Sequence, residues 1–227
     1  PLRLVLRLAK RGLQLVIQQL LRPAPIPAED VLRASWQTEL TRCLNQAAVV
    51  DFYELRFTRS FSHTVAAAAH GERLGFCREN VVASAQLASG LGMLNHPRLA
   101  LHFMGRAHRA AIAMADPALR AQVCNLDSLW RLGRCEWEFV DRLLDESQQL
   151  CALAGDQLSW CNAQAQRFWS LYYRGDWGML EPVAQSLLSR AQNSGNVQQE
   201  IWALRVKALA VLSMGNARQA VDMLKVV

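Results

Sequence analysis

Apolar residues recur at helical spacing through most of the chain, in segments separated by single turn-forming positions. Asn95, Cys135, Gly175 and Gly215 stand forty residues apart, and an apolar residue follows each by five: Ala100, Val140, Leu180 and Ala220. Gly75, Ala115, Gly155 and Gly195 form a second series midway between them, followed in three cases by Asp116, Asp156 and Asn196. Two breakers per period, with amphipathic segments between, predict a repeated helix–turn–helix unit. The predicted helix pairs are 28–50 with 53–71, 76–94 with 97–114, 117–134 with 136–153, 157–174 with 178–193, and 197–214 with 217–227. Ala83, Val123, Ala163 and Ala203 share one first-helix column, where small residues let paired helices approach. Phe103, Leu143, Val183 and Met223 share a second-helix core column. A third column, Leu91, Leu171 and Val211, is interrupted by Arg131, so the repeats are degenerate copies. The predicted fold is an all-α, right-handed α-solenoid of antiparallel helix pairs without β-sheet.

Ahead of the repeats, residues 2–21 read as a basic amphipathic helix. Leu2, Val5, Leu6, Ala9, Leu13, Val16, Ile17 and Leu20 fall on one face, with Arg3, Arg7, Lys10, Gln14 and Gln18 opposite. The uncharged run Gly12–Leu21 is shorter than the roughly 20 apolar residues that span a bilayer. The leucine face can pack on a neighbouring domain or on the first repeat, or lie on a membrane surface. Pro23, Pro25 and Pro27 then break the helix. The predicted organisation is a basic helix at 1–22, a proline-rich linker at 23–27, and a repeat domain at 28–227.

Composition fits this picture. The chain has 227 residues and is 52% hydrophobic, enough for a sizeable core. Its net charge of +6 is lopsided, because residues 1–33 hold six basic side chains against two acidic ones. The nearly neutral repeat body argues against nucleic acid as a partner. Six cysteines show no CxxC and no metal-type spacing, which predicts reduced structural thiols and a cytoplasmic setting. The chain opens on Pro1 and stops at Val227 inside a predicted helix, as a segment of a longer protein would.

The phrases Tyr173-Arg174-Gly175-Asp176-Trp177 and Gly215-Asn216-Ala217-Arg218-Gln219-Ala220 resemble tetratricopeptide repeats, whose usual unit is about 34 residues. The longer unit, closing in Ala154-Gly155-Asp156 or Ser194-Gly195-Asn196, is similar to a narrower group. That group is the C-terminal helical region of multidomain class III adenylate/guanylate cyclases with an ATPase module, and of LuxR-type signalling ATPases of like layout. Gly71-Glu72-Arg73-Leu74-Gly75 and the stretch Leu91–Ala100 also resemble it, while Cys135 and Ser60 depart from its pattern. The resemblance implies a regulatory segment that follows a catalytic part of the chain.

The chemistry of the segment points the same way. It has no GxxxxGK[ST] phosphate loop, no HExxH and no GxSxG. No catalytic, cofactor-binding or metal-binding residue is therefore assigned, and no cofactor is expected in the segment. His63 and His70 share a helical face but lack further ligands. Asp141, Arg142, Asp145 and Glu146 read as a solvated helix face. Trp137 and Trp177 follow turns, where an aromatic wedges between helices. Trp130, Trp169 and Tyr173 fall on first helices, which line the concave face of such solenoids, and are candidates for ligand stacking. Arg134 and Arg174 end first helices one period apart. Each is a candidate clamp for a carboxylate or phosphate, or a simple complement to the helix dipole paired with Glu136 or Asp176.

The expected function is a non-catalytic interaction or regulatory module. Its concave face would bind a peptide, a protein or a small effector, or contact a catalytic domain of the same chain. The alternatives are an enzyme using scattered Cys and His residues, and membrane-surface recruitment through residues 2–21.

Overall fold

The structure is a computed structural model that describes residues 26–27 and 30–225. The predicted helix at 1–22 and linker residues 23–25 lie outside the described residues. Among the described residues there are ten helices and no strand. They are α1 (Val31–Tyr53), α2 (Phe57–Gly71), α3 (Arg78–Met93), α4 (Pro97–Ala113), α5 (Pro117–Leu132), α6 (Trp137–Ala154), α7 (Gln157–Arg174), α8 (Trp177–Ser194), α9 (Val197–Ser213) and α10 (Ala217–Leu224). The protein is all-α and built from antiparallel helix pairs.

The turns explain the regularity. From Leu55 to Gly215, every twentieth residue adopts a positive φ: Leu55, Gly75, Asn95, Ala115, Cys135, Gly155, Gly175, Gly195 and Gly215. Both sequence series therefore mark left-handed turn residues, where glycine escapes the Cβ penalty. Leu55 extends the first series one period upstream at φ 59°. At the turns after first helices the next N–H reaches back five residues, as in His96 to Leu91 O (2.9 Å), Asp176 to Leu171 O (3.0 Å) and Asn216 to Val211 O (3.1 Å). Those bonds satisfy carbonyls that the helix end would leave orphaned.

The turns after second helices add a side-chain cap. Asp116, Asp156 and Asn196 accept from the N–H groups of Leu119, Ser159 and Gln199 at 3.0, 3.0 and 3.1 Å. Asp30 does the same for Arg33 at 3.2 Å. That cap moves the start of α1 from the predicted position 28 to Val31, because a capping residue precedes the first helical one. Likewise α2 starts at Phe57 rather than 53, since the turn centres on Leu55.

The chain divides into two compact units, Pro1–Leu119 and Arg120–Val227. In the first, α1 packs on α2, α2 on α3 and α3 on α4, and the first helices α1 and α3 also touch. In the second, α6 to α10 pack in the same consecutive way, and first helices α7 and α9 touch. Two of the predicted columns lie in the core, while in the second-helix column Phe103 and Val183 are buried and Leu143 and Met223 only half-buried. Ala83, Val123, Ala163 and Ala203 are fully buried, as are Ala100, Val140 and Leu180, with Ala220 nearly so. Ser60 uses its hydroxyl to donate to Ala48 O at 2.7 Å.

Candidate functional site

Successive first helices are joined by polar stitches. In the first unit, Asn45 Nδ2 of α1 donates to Glu79 O of α3 at 3.1 Å. Eighty residues on, Asn125 Nδ2 of α5 donates to Ser159 O of α7 at 2.9 Å. The second of these is braced by Ser147 Oγ, which donates to Asn125 Oδ1 at 2.8 Å, and by Ser128 Oγ, which donates to Gln166 Oε1 at 2.6 Å. Buried amide and hydroxyl groups are costly unless paired, so these bonds fix the spacing of neighbouring first helices.

All five sequence-derived candidates lie in the second unit, in two groups. The first group contains Trp130 and Arg134. Trp130 is only 2% exposed, so its ring is not the open stacking platform expected from its place on a first helix. Its Nε1–H donates to Asp127 Oδ1 at 2.9 Å, and the guanidinium of Arg131 lies 5.0 Å from its ring centroid. Arg134 donates through Nε to Glu136 Oε1 at 2.8 Å, while Arg131 holds Glu136 Oε2 at 2.6 Å and Asp127 Oδ1 at 2.7 Å. Burial alone would raise the Glu136 carboxyl, but hydrogen bonds from Arg134 and Arg131 outweigh it and hold the group below its usual range.

The second group contains Trp169, Tyr173 and Arg174. Trp169 is half-buried against Leu132, Val140, Leu144 and Ala163. Tyr173 stacks on it at 5.9 Å with an interplanar angle of 27°, and is itself 62% exposed. Tyr172 carries the ring contacts on to Trp177, edge-on at 5.4 Å. Trp177, expected to wedge between helices, is partly open to solvent, while its counterpart Trp137 packs on the core. Arg174 donates to Asp141 Oδ2 at 2.7 Å and lies 3.1 Å from Asp176 Oδ2. Arg134 thus pairs with Glu136, and Arg174 with Asp176 as well as Asp141. Both forks are engaged by carboxylates of the same unit.

The acidic face of α6 is solvent-exposed, and its carboxylates also reach neighbouring helices: Asp141 and Asp145 pair with Arg174 and Arg167 on α7, and Glu146 with Arg120 on α5. Asp141 precedes Arg174 by 33 residues and Glu72 precedes Arg106 by 34. Opposite charges a little less than one repeat apart were the available signal.

The remaining chemistry is dispersed. His63 meets Asp51 at 2.9 Å and His70 meets Gln37 at 2.7 Å, so the two histidines serve different partners. Among the described residues no group of three or more His, Cys, Asp or Glu side chains is arranged to hold a metal. All six cysteines are free thiols. Burial pushes Cys124 up to about 12 and also raises Cys77, Cys151 and Cys161, which disfavours the thiolate needed for nucleophilic attack. Among the described residues no helix is long and apolar enough to cross a membrane.

The repeat architecture is compatible with a tetratricopeptide-like helical region. No protein-family model, no curated protein and no solved structure matches this chain.

Proposed function

We propose that this segment is a non-catalytic interaction module whose first-helix face binds a protein or peptide. The observation that carries the reading is the Trp169–Tyr173 stack. An exposed tyrosine is held by a half-buried tryptophan on α7, a helix fixed to its neighbour by the Asn125 and Ser128 bonds. A rigid, amphipathic ring of this kind contributes contact area with little loss of side-chain freedom on binding. With the Arg174 fork occupied, the patch suits apolar and aromatic side chains better than a free phosphate. The affiliation with cyclase-linked or LuxR-type signalling ATPases rests on the sequence resemblance. It would make a catalytic domain of the same chain one possible partner.

The test is site-specific photo-crosslinking. A benzophenone amino acid replaces Tyr173, and in a second protein it replaces Leu153, an exposed residue at the end of the second helix α6. The expected result is discrete protein adducts, or discrete intrachain links, several-fold stronger from position 173. Equal and diffuse labelling from both positions would count against the reading.

A further inference from the structure

Four aromatic rings at the turn from α7 to α8 form one connected cluster. Trp169 and Tyr172 are half-buried and packed on the core of the second unit, and they hold the two rings that face solvent. Tyr173, 62% exposed, stacks on Trp169 and meets Tyr172 edge-on at 5.8 Å. Trp177, 45% exposed, meets the same Tyr172 edge-on at 5.4 Å. Gly175 adds no side chain between them. Trp130 spends its indole N–H on Asp127, but among the described residues no acceptor bonds that of Trp177.

The cluster also has a sign. Arg174 is shared by two carboxylates, Asp141 Oδ2 at 2.7 Å and Asp176 Oδ2 at 3.1 Å, so the group carries a negative charge in excess. About half of the Asp176 side chain is open to solvent. An occupant therefore needs apolar surface for the rings, a backbone carbonyl for the indole N–H, and a cation for Asp176. A segment in the polyproline II conformation meets all three needs when Lys or Arg flanks its prolines. Its proline rings are apolar plates, its carbonyls make no bonds within the segment, and it is already ordered before it binds. At about 3.1 Å per residue, roughly four residues reach across both exposed rings. A helical partner bonds its own carbonyls and would leave the indole N–H to water. We infer that the Tyr173–Trp177 face binds a proline-rich segment flanked by basic residues. This partner class rests on the interaction face proposed above and gives it a chemistry.

The probe is a fluorescein-labelled octapeptide, Arg-Pro-Pro-Pro-Pro-Pro-Pro-Arg, titrated with the 227-residue chain and followed by fluorescence anisotropy. Three peptides accompany it: one with Gly-Ser repeats in place of the prolines, one with Gln in place of each Arg, and an Ala/Leu helical peptide with Arg at both ends. The expected result is saturable binding of the proline peptide with a Kd below about 1 mM, and at least about fivefold weaker binding of the Gly-Ser peptide. Tyr173→Ala should weaken binding by about fivefold or more. Trp177→Phe keeps a ring and removes the N–H, and should weaken it about threefold. Asp176→Asn should weaken binding of the Arg-ended peptide but not of the Gln-ended one. Asp176 makes no side-chain cap bond to α8, so the start of that helix survives the change. Leu153→Ala, at an exposed position on α6, should change nothing. Urea midpoints matching that of the unsubstituted chain show that the variants are folded. Equal binding of the Gly-Ser peptide, or binding untouched by Tyr173→Ala and Trp177→Phe, would overturn the proposal. Preference for the helical peptide would assign the face to a helix instead. No binding of the proline peptide, with photo-crosslinks from position 173 retained, would remove the proline-rich class and leave the interaction face standing. Loss of both would remove the face itself.

Discussion

Cys135 and Gly175 occupy the same place in successive repeats. They sit at φ 58° and 77°, and each donates its N–H three residues back, to Leu132 O at 3.1 Å and Tyr172 O at 3.2 Å. One is glycine and the other is not, although the backbone requirement is identical.

That identity makes the turn series testable by stability. Cys135→Gly is expected to be neutral or mildly stabilising, because it removes a Cβ from a left-handed residue. Gly175→Val is expected to cost about 1–3 kcal/mol in backbone strain. A Cβ there would meet the Trp177 ring at 3.7 Å, an ordinary contact, so the cost lies in φ and not in a clash. Cys124→Gly, in the buried middle of α5, should destabilise through propensity and lost packing. Urea midpoints followed by far-UV circular dichroism give the order. A loss at Cys135→Gly as large as at Cys124→Gly would refute the shared turn position.

Arg131 replaces an apolar residue in its column and offsets that with two carboxylates, Asp127 and Glu136. Arg131→Leu should cost about 3–5 kcal/mol, since it removes a 2.7 Å ion pair from the buried Asp127 carboxylate. Adding Asp127→Asn should recover part of that loss. Additive single and double variants in the same urea series would show that the pair is not coupled.

Ala163 is fully buried against Leu132, Val140 and Leu144, with Trp137 and Trp169 at the edge. Ala163→Leu should cost about 1–3 kcal/mol by overpacking. Ala152→Leu, exposed on α6, should stay within about 0.5 kcal/mol. Thermal unfolding of the two variants makes the comparison, and equal midpoints would argue against close helix approach at that column.

Alkaline pH should weaken the fold through Cys124. Burial, with smaller contributions from Glu146 and Asp127, pushes its thiol up to about 12, whereas an unfolded thiol ionises near 8.5. Above that lower value the unfolded state holds fewer protons than the folded one, so stability falls as pH rises toward 12. The contribution is fully present below about 8.5. Urea midpoints from pH 8 to pH 10.5 should decline, and Cys124→Ala should flatten the slope. An unchanged slope in that variant would remove Cys124 as the source.

Turn positions, helix pairing and core columns were legible in the chain because each depends on local chemistry repeated at a fixed interval. Glycine or asparagine marks a left-handed residue, Asp or Asn after it marks a cap, and alanine every forty residues marks a close approach. Leu55 left no such mark because leucine has no preference for positive φ; its turn is closed by the bonds of Leu55 to Phe52 O and Arg56 to Asp51 O. Tertiary structure alone decided which polar groups meet. That Arg174 reaches back to Asp141 on α6 and that Asn125 binds the backbone of α7 depend on three-dimensional juxtaposition, whereas Trp130 bonds Asp127 one turn back on its own helix. The inter-helix bonds join residues 33 and 34 apart, but with different residue types from one repeat to the next. They leave no periodic trace comparable to that of the core, where burial of apolar area imposes the same choice at every repeat.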